Sequence, residues 1–197
     1  MEIILGSQSP RRRELLSGLD VPYRAITIDA DEHFPPDLQG GEIPRYISRA
    51  KANAYVAELK TDEVLLTADT IVWLPAANGK GAMLGKPVDI EDAKRMLRLL
   101  SGRMHEVYTA VSFVQIGSEG EIEMETFVDK TEVWFRDLTE DEIDYYVNRY
   151  KPLDKAGAYG VQEYIGYIGV TKMVGSYYNV MGFPVERVYR RLKSLLN

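Results

Sequence analysis

The sequence predicts an α/β fold: one domain, residues 1–197, with two lobes around a central cleft and a mixed β-sheet flanked by helices. Three observations carry this. Residues 64–74 (VLLTADTIVWL) form an apolar, β-branched run of strand length, the pattern of a buried strand. Strand-like and helix-like segments alternate through the first hundred residues. Two long strand-like segments, 105–116 and 121–135, flank Gly117-Ser118-Glu119-Gly120, which reads as an antiparallel hairpin. The 197 residues suffice for one sizeable core or two small lobes, and no repeat, low-complexity stretch or long linker divides them.

Each element has its own local reason. Residues 2–5 (EIIL) read as a short strand. Ser9 then suits an N-cap and Pro10 the first helical turn, with Leu15, Leu16 and Leu19 as the apolar face. Residues 23–28 (YRAITI) alternate as a strand does and run into a Pro-rich acidic loop, 29–37. Pro44 opens a helix whose apolar face is Ile43, Ile47, Ala50, Ala54 and Ala57. After 64–74, Asn78-Gly79 is a hairpin turn signal, and LGKP carries Lys86 back towards the strand. Asp89 caps a helix that buries Ala93, Met96, Leu97 and Leu100 and ends at Gly102. Thr139 and Glu142 form a capping box for a helix with Ile143, Tyr146, Val147 and Tyr150 inside. Residues 152–162 (PLDKAGAYGVQ) and 175–184 (GSYYNVMGFP) read as glycine-rich loops, and 163–173 as loop or short strand. Pro184 opens a last helix that buries Val185, Val188, Tyr189 and Leu192.

Composition excludes several function classes. A formal net charge of −6 argues against a broad nucleic-acid surface but leaves room for a local anion site. No apolar run reaches the ~18 residues that a membrane span needs. The N-terminal basic cluster follows the apolar run, the wrong order for a signal peptide. The absence of cysteine removes disulfides and thiolate metal sites and fits a cytoplasmic protein.

The polar groups that stand out lie in strand interiors and small-residue loops. Asp69, with Thr70 after it, is the one charge in the 64–74 run. A carboxylate there is costly unless paired or coordinated, so Asp69 either pairs with a lysine or caps a bulge, or it is catalytic or metal-binding. Ser7, Ser9, Arg11, Arg12 and Arg13 crowd a helix N-terminus. They are either a solvated basic turn or an anion site. Asp29, Asp31 and Glu32 are either solvated or facing a cation, and His33 beside them reads as incidental. Lys51 sits at the edge of a helix face, where it either snorkels to solvent or reaches a cleft. Lys86, Asp154, Lys155 and Gln162 complete the set. Arginine and lysine bind polyphosphate, carboxylates hold Mg²⁺ or activate water, and a glutamine amide reads a base edge. Together they fit hydrolysis of a nucleotide polyphosphate better than Ser-His-Asp chemistry.

The motifs SQSPRRRELL, RAKA, TADTIV, LGKP, SGRMHEVYTAV, DKAGAYGVQ and GSYYNVMGFP occur in order along nearly the whole chain. With them the sequence resembles the Maf family of nucleotide pyrophosphatases, a family first linked to septum formation. The resemblance implies a bilobed α/β fold similar to the inosine triphosphate pyrophosphatases. It also implies metal-dependent conversion of a nucleoside triphosphate to the monophosphate and pyrophosphate. Carried over, Asp69 is the proton acceptor, with Lys51, Lys86 and Glu32 beside it in the catalytic set. Ser7, Ser9, Arg11, Arg12 and Lys155 bind substrate. Asp69, Glu32 and Asp31 hold Mg²⁺, Mn²⁺ or Co²⁺. AGAYGVQ resembles the branch acting on dTTP and UTP, whose specificity positions match Arg12, Thr70 and Gln162, and modified pyrimidine nucleotides fit the same expectation. One departure stands out: Glu163 follows Gln162, where that branch usually has glycine. Family members are often dimers, and the Tyr-rich C-terminal third is a candidate homodimer interface. The alternative reading is a regulator of cell division acting through protein contacts.

Overall fold

The computed structural model describes residues 1–77 and 79–196. The first apolar run forms β1 (Glu2–Gly6). Helix α1 (Pro10–Ser17) follows, with Pro10 in its first turn and the Ser9 side chain accepting from the Arg12 amide. Strand β2 (Tyr23–Ile26) stops two residues short of the predicted end. Helix α2 (Glu42–Asn53) leads through a short 3₁₀ turn into β3 (Glu63–Leu74). Next come β4 (Ala82–Leu84), α3 (Ile90–Leu100), β5 (Met104–Ile116) and β6 (Ile122–Phe135). The chain ends with α4 (Glu140–Tyr150), α5 (Tyr164–Gly169), β7 (Val170–Val174), α6 (Tyr177–Val180) and α7 (Val185–Leu196).

The sheet is mixed, in the order β2-β1-β3-β5-β6-β7, with β4 paired to β3. β1 runs parallel to both β2 and β3; β4 on β3 and β7 on β6 are antiparallel. The chain forms two compact units. The first comprises residues 1–69, 109–129 and 182–197. There β1 and β3 are buried on both faces. Ile3, Leu5, Val64, Leu66 and Ala68 pack with Leu16 of α1 and with Phe183, Val188 and Leu192. Ile4 and Leu65, pointing the opposite way, pack with Ala52 of α2 and with Leu59. This period-two alternation is why β3 reads as a continuous apolar run. The second unit comprises residues 70–108 and 130–181. Its core joins Val72, Leu74 and Val107 to the buried faces of α3 and α4.

The predicted caps of α1, α3 and α4 form: Asp89 accepts from the Asp92 amide, and Thr139 and Glu142 make the reciprocal box. Gly102 adopts φ 68° just beyond α3. Asn78 lies outside the described residues; Gly79 has φ 76°. Four expectations are corrected. α2 ends at Asn53, so Ala54 and Ala57 are exposed and the buried stripe turns instead through Ser48 and Ala52. Tyr150 and Tyr189 are exposed, each at the edge of its helix's apolar face. The 175–184 segment is not all loop: the Ser176 side chain accepts from the Asn179 amide and starts α6. Residues 164–169 form α5 ahead of the short strand β7.

Candidate functional site

In the first unit α2 and β3 meet along two polar rungs. Ser48 and Lys51 stand one turn apart on α2, and Thr67 and Asp69 point the same way from β3. The Ser48 hydroxyl donates to the Thr67 carbonyl at 3.3 Å, and the Thr67 hydroxyl donates to the Ser48 carbonyl at 2.8 Å. One rung along, the Lys51 ammonium donates to Asp69 at 2.8 Å and lies 2.9 Å from Glu32. Ser48 and Thr67 are fully buried, whereas Lys51 and Asp69 keep 14% of their side-chain surface. The first rung is therefore structural, and the second opens to solvent. Burial pushes the Asp69 carboxyl above the ordinary aspartate value, against the pull of Lys51 and Arg12, and Glu32 adds to the rise. Of the two readings of Asp69, the pairing with a lysine is present, and burial makes the carboxylate hold a proton more tightly than an exposed aspartate does.

The basic turn is partly tied to backbone. Ser7 is buried and its hydroxyl accepts from the Ser9 amide. The Arg13 guanidinium folds back onto the Ser7 carbonyl. Arg12 Nε donates to the Gly182 carbonyl at 2.9 Å and a terminal nitrogen to Ala68 at 2.8 Å, which fastens α1 to β3 one residue before Asp69. Burial lowers the Arg12 pKa against the pull of Asp69, and the charge of half-buried Arg11 adds to the lowering. A close approach makes this turn possible: a Cβ on Gly6 would meet Ile28 at 2.4 Å and Thr67 at 3.1 Å.

In the second unit, Thr70 is half-buried and Lys86 is exposed. Lys155 is buried, with its ammonium 2.8 Å from Asp154 and 3.2 Å from Glu163. Gln162 follows the buried turn through Gly157 and Ala158, both at positive φ. Its Oε1 is buried and makes no hydrogen bond among the described residues.

Residues 2–195 match the family model described as Maf-like protein. The chain belongs to the Maf-like family. A Bacteroides thetaiotaomicron protein named dTTP/UTP pyrophosphatase is 51% identical over 195 residues, 98% of this chain and 96% of that protein. Proteins of the same name from Phocaeicola vulgatus and Flavobacterium johnsoniae are 49% and 43% identical, covering 98% and 99% of this chain and 96% and 95% of their own. Among solved structures, the Ham1 proteins of Staphylococcus aureus and Coxiella burnetii superpose with a TM-score of 0.52 at 14% and 15% identity. The first covers 99% of this chain and 100% of the Ham1 chain, the second 98% and 99%. At that identity the likeness shows a shared fold.

Within this Maf-like chain, three groups beside candidate residues of their own unit were not singled out by residue type and spacing. Ser48 sits on the apolar face of α2, and a hydroxyl among Ile47 and Ala52 was the available signal. Thr67 has the same strand parity as Asp69. Tyr146 reads as an ordinary core residue, yet its hydroxyl donates to Glu163 and accepts from the Gly160 amide. Of the three expected metal-binding carboxylates, Glu32 and Asp69 converge on Lys51, while Asp31 accepts from His33. Among the described residues no group of three or more His, Asp or Glu side chains gathers as a cation cage.

Proposed function

We propose that the chain hydrolyses nucleoside triphosphates, dTTP and UTP foremost and modified pyrimidine nucleotides with them, to the monophosphate and pyrophosphate. The observation that carries the reaction is Asp69: a carboxylate on a buried strand, held by Lys51, with its proton affinity raised by burial. Family membership and the names of the relatives support the substrate class.

Asp69 takes a proton from a water whose oxygen attacks the α-phosphorus. The bond from that phosphorus to the bridging oxygen breaks, and the electron pair leaves with pyrophosphate. General-base help of this kind is typically worth ~10²–10⁴ in rate. Lys51 orients the Asp69 carboxylate. Arg11, Arg12 and Lys86 offset the charge of the departing phosphates, and the Ser7 and Ser9 turn lies beside the two arginines. Lys155 joins them in binding the substrate. Asp69 and Glu32 are the carboxylates that would hold a divalent ion such as Mg²⁺ or Mn²⁺, both of which take hard oxygen donors. Their oxygens are the matching donor chemistry, and a divalent ion bound there would neutralise phosphate charge.

Arg12, Thr70 and Gln162 set the base preference. Thymine and uracil present a donor, N3–H, on their pairing edge, and cytosine presents an acceptor there. The buried, unpartnered Gln162 Oε1 suits the donor. A homodimer through exposed Tyr145, Tyr167, Tyr177 and Tyr178 belongs to the same proposal, with sedimentation as its check. So does a cytoplasmic location: among the described residues no helix is long and apolar enough to cross a membrane.

The decisive test is pyrophosphate release from dTTP, UTP, CTP, GTP, 7-methyl-GTP and modified pyrimidine triphosphates with Mg²⁺. Preferential turnover of dTTP and UTP is expected. Turnover of purine nucleotides alone would overturn the Gln162 assignment, and no turnover at all would overturn the reaction.

A further inference from the structure

Glu163 lies just before α5, where a side chain normally caps the helix, yet it makes no capping hydrogen bond. Its carboxylate turns the other way. One oxygen accepts from the hydroxyl of fully buried Tyr146, and the other lies 3.2 Å from the ammonium of buried Lys155. The same Tyr146 hydroxyl accepts from the Gly160 amide at 3.0 Å, and the Glu163 amide donates to the Gly160 carbonyl at 3.0 Å. Both ends of the four-residue turn 160–163 are therefore tied to one tyrosine.

Two glycines show how tightly this turn is closed. A Cβ on Gly160 would meet the Glu163 carboxyl at 2.8 Å, and that carboxyl cannot swing aside without leaving Tyr146 and Lys155. A Cβ on Gly166 would meet the Val161 carbonyl oxygen at 2.0 Å, so the first turn of α5 presses directly on the backbone before Gln162. Gln162 is thus fixed on both flanks, while its own Oε1 is buried and unpartnered among the described residues. A buried amide oxygen left without a donor is costly, and a rigid backbone keeps it from relaxing towards one.

We propose that Glu163, acting with Tyr146, is a positioning residue that holds Gln162 for recognition of the pyrimidine base, and that it sets base preference without touching the substrate. This rests on the reading of Gln162 given above. Holding the acceptor before substrate arrives spares the ordering cost on binding, so its loss falls on KM and discrimination.

The test is steady-state hydrolysis of dTTP, UTP and CTP by wild type, Glu163→Ala, Glu163→Gln, Tyr146→Phe and the Ala/Phe double variant, with Tm recorded for each. Glu163→Ala is expected to raise KM for dTTP and UTP by about tenfold and to erode their advantage over CTP by a similar factor, on the scale of one mispositioned polar contact. Its kcat should stay within about threefold of wild type, since the reacting groups are untouched. Glu163→Gln keeps the shape and an acceptor, so it should restore most of the preference. Tyr146→Phe should mimic Glu163→Ala, and the double variant should be no worse than either single, the mark of one coupled unit. Unchanged KM and unchanged discrimination in a folded Glu163→Ala would overturn the proposal, as would full additivity in the double variant. If Glu163→Ala does not fold, Glu163→Gln and Tyr146→Phe carry the comparison. If wild type hydrolyses none of the three, the functional reading has failed instead. Amide exchange at Gly160 and Glu163 then decides the clamp, which is overturned if Tyr146→Phe leaves that exchange unchanged.

Discussion

Lys51 in the first unit and Lys155 in the second are each held by two carboxylates, at 2.8 and 2.9 Å for Lys51 and at 2.8 and 3.2 Å for Lys155. Their surroundings differ. Asp69, on the Lys51 side, projects from a buried strand and keeps part of its side chain open to solvent, and burial raises its hold on a proton. Glu163, on the Lys155 side, is tied to Tyr146, and burial together with that carboxylate pushes the phenol well above its ordinary value, so the hydroxyl stays a donor. In one unit such a pair includes a carboxylate whose hold on a proton is raised by burial, and in the other a carboxylate tied to a buried phenol. The neutral Tyr146 donor spreads the charge of the Glu163 carboxylate.

The sharpest way to break that comparison is Asp69→Asn, which should lower kcat by about 10²–10⁴ while leaving the fold intact. In wild type, kcat/KM should fall as pH drops through the raised Asp69 pKa, above the ordinary aspartate value of 3.8. Stability carries the opposite sign. Between 3.8 and the raised value the folded chain holds more protons than the unfolded one, so its stability falls as pH rises through that window. Asp69→Asn lacks this loss, and its Tm relative to wild type should climb with pH there. A flat difference would sink the raised pKa.

A second contrast sets Lys51→Ala against Lys155→Ala. Both leave carboxylates without their cation, so both should lose about 1–3 kcal/mol of stability in thermal or denaturant unfolding. Only Lys51→Ala should lower kcat more than tenfold, with the effect of Lys155→Ala appearing mainly in KM. Equal kcat losses would erase the distinction between the two pairs.

His105 sharpens the picture of the second unit. It is fully buried, bonded to the Tyr159 hydroxyl at 2.8 Å and set edge-on to Phe135 and Tyr159, and burial pushes its pKa down to about 3. The unfolded state titrates near 6.5, so the unfolded chain binds the extra proton between about 6.5 and 3. The stability due to neutral His105 is complete above 6.5 and is lost as pH falls through that window. In His105→Gln, the acid limb of Tm against pH should be shallower across it; an unchanged slope would show that other groups dominate. The smallest effect expected is for Thr139→Ala, about 1 kcal/mol from the lost capping box of α4, measured by urea unfolding.

Much of this was legible because it is local. Ser9-Pro10, Asp89 and Thr139 with Glu142 mark helix starts through bonds spanning three residues, and each forms where the sequence places it. The apolar run 64–74 announced a buried strand, and the structure packs it on both faces. What misled was position at the margin of a face. Tyr150 and Tyr189 satisfy helical spacing yet are exposed, because a tyrosine at the edge of an apolar stripe keeps its hydroxyl in water. Glu163 stood out as a departure from pattern, but its partners Tyr146 and Lys155 lie 17 and 8 positions away, beyond any periodic signal.

The sequence by itself determined the family, the mixed α/β sheet, the helix caps and the lone charge in the central strand, because each is written in short-range chemistry or in ordered motifs. Only the tertiary structure decided what that charge meets. It set Ser48 on Thr67 and so aligned Lys51 with Asp69, spent two donors of Arg12 on backbone carbonyls, turned Asp31 to His33, and closed Glu163 onto Tyr146. Those pairings depend on how far a helix slides along a strand and how closely two backbones approach. A single chain of letters does not carry those distances; packing sets them.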